Sequence, residues 1–242
     1  YREVQEGPEA VNHIRKSYAG VLTMADVWLG KFLDKMDEMD LWKDTTVIFT
    51  TDHGHLLGEH GYWAKNYMFD YQELVHLPLI ICTPETAFCH RRIPGLTAAM
   101  DLMPTLMELH GAELPENVQG VSLLPLIRGE KTVLHDGVLY GYFGKDINLF
   151  DGRYSYCRQP KDDSTVYHYT LMPRGTKKFI DRTLLANAEF GHFLKHTHGV
   201  PQLKIARTSH RHKNALDYHL IYDIQNDPGQ TSPVHDEELE ER

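Results

Sequence analysis

Residues 46–54 of the chain read Thr-Val-Ile-Phe-Thr-Thr-Asp-His-Gly, and the fold prediction starts from them. The β-branched and aromatic residues 46–51 predict a short buried strand. Asp52 and His53 follow it directly, and Gly54 lets the backbone turn sharply. Ligands of α/β sheets collect beyond the carboxyl ends of the strands, so these side chains are placed to meet one. A carboxylate and an imidazole together can hold a divalent cation.

A lysine lies close to this turn in sequence. Lys65 is twelve residues beyond His53, at the end of the run Gly-Tyr-Trp-Ala-Lys. A lysine beside a metal is electrostatically unfavourable unless an anion lies between the two cations. We therefore expect metal and lysine to bind one anion together.

The elements around the turn alternate between helix and strand. Apolar residues at gaps of three and four predict a helix over 13–39 that lays one stripe on a core. Residues 77–82 predict a second buried strand. Asp101 is the expected N-cap of another helix, which Gly111 ends. This order indicates an α/β sandwich, and residues 1–12 read as a polar tail or connector.

The sequence changes character after about residue 131. Short strands are predicted at 138–143, 154–158 and 220–224, with a helix over 178–195. The acidic residues 236–242 are expected to be solvated and mobile. We predict that residues 1–132 form part of an α/β core. Residues 133–242 then form a small α+β subdomain with an antiparallel sheet.

The composition excludes some classes of function. The chain has 242 residues and a formal net charge of −9, which argues against nucleic acid as the main partner. No apolar run approaches the roughly 18 residues of a membrane span.

A longer pattern extends the turn. Asp-His-Gly is followed by Gly-Glu-His-Gly at 58–61, by Lys65 and by Pro-Leu-Ile at 78–80. The chain is similar in this order of motifs to the sulfatases of the alkaline-phosphatase superfamily. Further matching segments lie at 41–45, 101–105, 120–123, 220–223 and 227–228. The resemblance implies the C-terminal part of an alkaline-phosphatase-like α/β/α sandwich, with residues 1–132 as the second half of its core.

The resemblance also implies roles for particular residues. Asp52 and His53 match the two later metal ligands of the family, and Lys65 matches the lysine that holds the sulfate oxygens. The implied metal is Ca²⁺, with Mn²⁺ as the alternative. His55 and His60 lie inside the loop and are candidates for substrate contact; otherwise they shape the loop.

Other parts of the family's site are not recognisable in this sequence. Sulfatases carry a nucleophile in a Cys-or-Ser-x-Pro-x-Arg motif, oxidised to formylglycine, and two early aspartates, all in the N-terminal half. The run beginning at Cys82 has Thr86 where the arginine must stand. We therefore expect this chain alone to be inactive and to associate with its own N-terminal half or with another copy.

The predicted function is hydrolysis of a sulfuric ester, with a sulfated carbohydrate as the suggested substrate. Two alternatives stay open: a phosphonate monoester or phosphodiester hydrolase of the same superfamily, and a non-catalytic binding chain. The pair His192 and His196, four apart on the predicted helix, is expected to be a surface or packing pair, because Phe193 stands where a zinc protease needs glutamate.

Overall fold

A 31-residue helix opens the fold. In the computed structural model, which describes residues 3–65, 68–84, 90–161, 164–175, 178–209 and 219–241, α1 spans Pro8–Glu38. The helix therefore begins five residues before the predicted start, and residues 8–12 are helical where a polar tail or connector was expected. Pro8 explains the early start, since its fixed φ and missing N–H suit the first turn of a helix.

The strand predicted at 46–51 is confirmed as β1, Val47–Thr50, and the strand predicted at 77–82 as β4, Leu79–Cys82. They pair antiparallel, with Phe49 opposite Ile80. Both of these side chains are exposed, so the prediction of two fully buried strands was wrong for this face. The opposite face is covered, because Leu79 and Ile81 pack against a buried cluster described below.

The long helix α1 is likewise more exposed than the sequence predicts. Most of its predicted apolar stripe is exposed in this chain, whereas Leu29 and Leu33 are partly covered and Met36, near its end, is buried. An amphipathic helix buries its stripe only where another layer lies against it. The described residues place no such layer over the middle of α1.

Short elements connect these parts. The hairpin of β2, Leu56–Leu57, and β3, Trp63–Ala64, follows β1. After it come α2 at Gln72–Val75, α3 at Leu102–Leu109 and α4 at Leu124–Arg128. Gly111 has φ +63° just beyond α3, as expected of a residue that ends a helix.

Two antiparallel sheets follow, which confirms the predicted sheet type. Their strands are β5 Val138–Gly141, β6 Ile147–Phe150, β7 Tyr154–Arg158, β8 Thr165–Thr170, β9 Glu189–Gly191, β10 Gln202–Thr208 and β11 Leu220–Asp223. The first sheet has the order β11-β7-β6-β5, and the second has the order β8-β10-β9. The sequence analysis missed β6, β8 and β10.

The helix predicted over 178–195 was wrong. The segment instead holds α5, Arg182–Ala186, then β9 and a 3₁₀ turn at Lys195–Thr197. Asp181 caps α5 by accepting the N–H of Thr183, and β9 then pairs with β10. This long-range pairing overrides the local helical pattern. His192 and His196 therefore do not share a helical face.

The acidic terminus forms α6, Glu237–Glu241, and Tyr156 donates a hydrogen bond to Glu240. Part of the expected mobile tail is thus ordered against β7. The helices of the described ranges include none with the length and apolar character of a membrane span.

Two buried clusters organise the chain. One joins α4 to β4 through Leu123, Leu124 and Ile127. The other contains residues from the hairpin and α2 regions together with residues of β7 and β11: Leu56, Met68, Tyr71, Leu74, Cys157, Leu220 and Tyr222. The second cluster fixes the loop after β1 against the C-terminal sheet. The division between residues 132 and 133 stays a prediction.

Candidate active site

The turn after β1 is shaped by a close backbone contact. The Gly54 N–H donates to the carbonyl of Leu74 at 2.8 Å. A Cβ at Gly54 would overlap the carbonyl oxygen of Glu73 and lie 3.0 Å from the Leu74 Cα. Only glycine permits this approach, so the Asp-His-Gly turn is held against α2 through its third residue.

His53 is oriented by the same turn. Its Nδ1 lies 2.8 Å from the Gly54 carbonyl oxygen. A carbonyl can only accept, so Nδ1 donates to it, and Nε2 is the ring nitrogen left to face the site. The ring is partly buried, and Asp52 Oδ2 lies 3.2 Å from Nε2. A carboxylate oxygen and an imidazole nitrogen, both of them atoms that can ligate a metal, are therefore adjacent.

Lys65 reaches the same point from the other side. It follows β3 directly, and its Nζ is within hydrogen-bonding distance of His53 Nε2. Desolvation of Asp52 opposes ionisation, but His53, backbone N–H groups and Lys65 together lower the pKa of the Asp52 carboxyl. The structure thus brings together Asp52, His53 and Lys65, which the sequence analysis named as metal and sulfate ligands.

The donors fit part of a metal site. Asp52 offers an exposed hard oxygen and His53 a lone pair fixed by a carbonyl hydrogen bond, as metal-binding histidines usually are. Ca²⁺ takes six to eight oxygen ligands and Mn²⁺ also needs more than two. Within the described ranges no third His, Cys, Asp or Glu joins them in a metal-binding group.

The two other predicted histidines lie elsewhere in the loop. His60 has φ +54° and stacks on Tyr71, with ring centroids 3.5 Å apart. Its Nε2 lies 3.3 Å from Glu73 Oε1; burial opposes ionisation of Glu73, but the hydrogen bond from His60 lowers its pKa. His55 is exposed, and its ring lies 6.1 Å from that of Tyr18. The predicted contact of both histidines with substrate stays a prediction.

The hairpin that ends at Lys65 is fastened to α1. Arg15 donates from Nε to the Leu57 carbonyl at 2.8 Å and from Nη2 to Glu59 at 3.0 Å. Glu59 also accepts the backbone N–H of Leu57. Sequence reasoning missed Arg15, because no local pattern connects a helix residue with a loop 42 positions away.

The N-terminal segment fastens the other strand of the hairpin. The Val4 N–H donates to the Gly61 carbonyl at 2.7 Å, and Trp63 Nε1 donates to Glu6 at 2.8 Å. The hydrogen bond from Trp63 lowers the pKa of Glu6. Val4 and Glu6, which precede α1, thus contribute to the framework of the site.

Two models of protein families match the chain. The family model Sulfatase matches residues 1–112, and the model N-sulphoglucosamine sulphohydrolase, C-terminal, matches residues 58–170. A solved structure from work on glycosaminoglycan metabolism by Bacteroides thetaiotaomicron superposes with a TM-score of 0.55 at 22% identity. It covers 91% of this chain and 39% of that one. This similarity confirms the expected α/β fold class.

Characterised relatives are similar over shorter stretches. Arylsulfatase K of Canis lupus familiaris is 34% identical over 116 residues, covering 48% of this chain and 21% of that protein. The N-acetylglucosamine-6-O-sulfatase of Bacteroides thetaiotaomicron is 26% identical over 162 residues, covering 67% of this chain and 27% of that protein. The chain thus spans between about a fifth and a quarter of the length of these relatives. The two family models together match residues 1–170, and with these relatives they show that the chain belongs to the sulfatase family.

Proposed function

We propose that the protein carrying this chain hydrolyses sulfuric esters, and that the chain supplies part of its metal and sulfate site. One observation carries the proposal: Asp52, His53 and Lys65 meet beyond the carboxyl end of β1. Without an anion between them, Lys65 would be repelled by a cation held on Asp52 and His53. An anion bound by metal and lysine together accounts for all three residues.

The chemistry divides between these side chains. Asp52 and His53 would hold the cation, Ca²⁺ by preference and Mn²⁺ as the alternative. When bound, the cation supplies positive charge that stabilises charge developing on the sulfuryl oxygens. Lys65 donates hydrogen bonds to the same oxygens and keeps that charge paired as the ester bond breaks. We assign the nucleophile, a formylglycine, to the N-terminal half of the fold.

We further propose a sulfated carbohydrate as the substrate. The relative from Bacteroides thetaiotaomicron carries N-acetylglucosamine-6-O-sulfatase as its name. Its similarity to this chain extends over 162 residues and so reaches beyond the loop. His55, exposed beside the turn, is the loop residue best placed to meet the sugar at the rim of the site.

The surface supports a specific partner, the N-terminal half of the same fold. Large apolar side chains are exposed on the middle turns of α1, on the outer face of β1 and β4, and around α3: Tyr18, Val21, Leu22, Trp28, Phe32, Phe49, Ile80, Met103 and Leu106. Exposed apolar surface of this extent marks an interaction site. Because the relatives are several times longer than the matched region, we commit to the remainder of the fold as the occupant.

The proposed partner can be tested by expressing this chain with and without the N-terminal half. We expect the two parts to elute as one species of a single copy each. A dimer of this chain that ignores the N-terminal half would instead make a second copy the partner.

The activity is tested on the intact protein with 4-nitrophenyl sulfate and glucosamine 6-sulfate. We expect Lys65→Ala to lower kcat/KM by about 10²–10³, as loss of a donor to a developing oxyanion does. Lys131→Ala, which alters an exposed lysine outside the site, should leave kcat/KM unchanged. Calorimetry should show weaker Ca²⁺ binding in Asp52→Asn and His53→Ala.

Three experimental outcomes would contradict the proposal, and each points to a different alternative. Full activity of Lys65→Ala would remove the role assigned to that lysine. Faster turnover of a phenylphosphonate monoester than of the sulfate would favour the phosphonate or phosphodiester hydrolase. A folded, metal-bound protein that turns over neither ester would be a binding chain.

A further inference from the structure

A buried polar cluster lies between the segment that follows the site loop and the C-terminal sheet. Asp70 stands before α2, and Asp146 directly precedes β6. Asn148 lies within β6, and Cys157 lies in β7. All four side chains are at least nine-tenths buried. None takes part in the chemistry proposed above.

Asn148 joins the two carboxylates. Its Nδ2 lies 3.2 Å from Asp70 Oδ2 and 3.5 Å from Asp146 Oδ2, and 3.4 Å from the Tyr140 carbonyl. The Cys157 thiol lies 3.6 Å from Asp146 Oδ2. One amide group has two hydrogens for these three acceptors, so Asn148 alone cannot compensate two buried negative charges.

The charges around Asp70 favour its protonated form. Burial and the carboxylate of Asp146 raise the pKa of Asp70 to about 6, while Lys145 acts in the opposite direction. The other titratable groups that interact with Asp70 are Tyr140, Tyr142 and Cys157, and burial raises the pKa of each. These three groups are uncharged near neutrality, so Asp146 and Lys145 are the charges that Asp70 meets.

The segment that begins at Asp70 supports the candidate active site. Tyr71 stacks on His60, and the Leu74 carbonyl accepts the Gly54 N–H at 2.8 Å. On its other side, the Gln72 N–H donates to Gln230 Oε1 at 2.6 Å. A change in the contacts of Asp70 would therefore alter the support of the turn that carries Asp52 and His53.

We propose that Asp70, Asn148 and Asp146 form a proton-dependent clamp, in which a proton on Asp70 holds the segment 70–75 against the C-terminal sheet and its loss loosens that contact. The clamp is independent of the proposed sulfatase activity. It makes the support beneath the site firmer in acid and weaker at neutral pH.

The direction of the pH effect follows from proton linkage. An unfolded aspartate has a pKa near 3.9, below that of the folded Asp70. Between about pH 4 and 6 the folded protein binds more protons than the unfolded chain. This group's contribution to stability is therefore fully present below pH 4, falls as the pH rises through 6 and is constant above that.

The first test observes Asp70 directly in the intact protein, by ¹³C NMR of its carboxyl carbon across a pH titration. We expect a midpoint about two pH units above that of an exposed aspartate. In Asp146→Asn the midpoint of Asp70 should move down, because the neighbouring charge is gone. A midpoint near 4 in the wild type, or one unmoved in Asp146→Asn, overturns the clamp.

The second test measures the loosening by amide hydrogen exchange of Gly54, Leu74 and His76. The ratio of the exchange rate in the wild type to that in Asp70→Asn should be at least about tenfold higher at pH 7.5 than at pH 4. Asp136→Asn, at an exposed aspartate, should match the wild type at both values. A ratio of wild type to Asp70→Asn that does not change with pH overturns the proposal even where the NMR midpoint is high.

Discussion

The buried carboxylate of Asp101 lies 2.8 Å from the Nε2 of His135, 34 positions further along the chain. It also accepts the backbone N–H of Ala98 at 2.8 Å and that of Val121 at 3.0 Å. Asp101 stands before α3 as predicted, but its carboxylate does not cap that helix. It fastens three distant segments to one another.

Replacing Asp101 should therefore be costly. We expect Asp101→Asn to lower the free energy of unfolding by about 3 kcal/mol, because the amide is a weaker acceptor and brings an unneeded donor into a buried site. His135→Ala should cost less, about 1–2 kcal/mol, since the two backbone N–H donors remain. Urea unfolding measures both changes. An Asp101→Asn variant within 0.5 kcal/mol of the wild type would show that the three segments are held by packing alone.

Arg15 should matter more to the hairpin than to global stability. Its side chain is about half exposed, so Arg15→Ala should cost only about 1 kcal/mol in unfolding free energy. Without the hydrogen bonds of Arg15 the hairpin should open more often. The amides of Gly58 and Tyr62 should then exchange about fivefold faster. Arg15→Lys should recover part of the protection.

Lys16→Ala, an exposed neighbour on α1, is the control and should change neither rate. Equal protection in Arg15→Ala and the wild type would mean that residues 3–6 hold the hairpin alone.

Gly54 should tolerate no side chain. The Cβ of Gly54→Ala would overlap the Glu73 carbonyl, and the backbone on both sides is held by hydrogen bonds. We expect a loss on the order of 3–5 kcal/mol in unfolding free energy, or failure to fold. Gly30→Ala is the matched control, because nothing lies within 4 Å of its Cβ and alanine favours the interior of α1. It should stabilise the protein by up to about 1 kcal/mol. If both variants unfold at the same urea concentration, the close approach at Gly54 is not a constraint.

Local patterns in the sequence were sufficient for β1, β4 and most of α1, but not for the hairpin of β2 and β3 or for α2. The β-branched run predicts β1, the gaps of three and four predict most of α1, and the order of motifs from Asp52 to Lys65 predicts the family. Those signals work because each depends on neighbours within a few residues. The prediction that Asp52, His53 and Lys65 act together also came from their order in the chain, and the structure brings the three side chains into contact.

Other features depend on residues far apart in sequence, and only the tertiary structure decides them. The pattern over 178–195 favours a helix locally, but pairing of β9 with β10 gains more by completing a sheet. Arg15 reaches the hairpin, and Asp70 meets Asp146, through contacts that leave no periodic trace. The exposure of the α1 stripe likewise follows from what packs against the helix.

The sequence by itself determined which segments are apolar, which can turn and which side chains can bind a cation and an anion. Burial, pairing and the pKa of Asp70 were decided by the tertiary structure, because desolvation and charge depend on every group that surrounds a site.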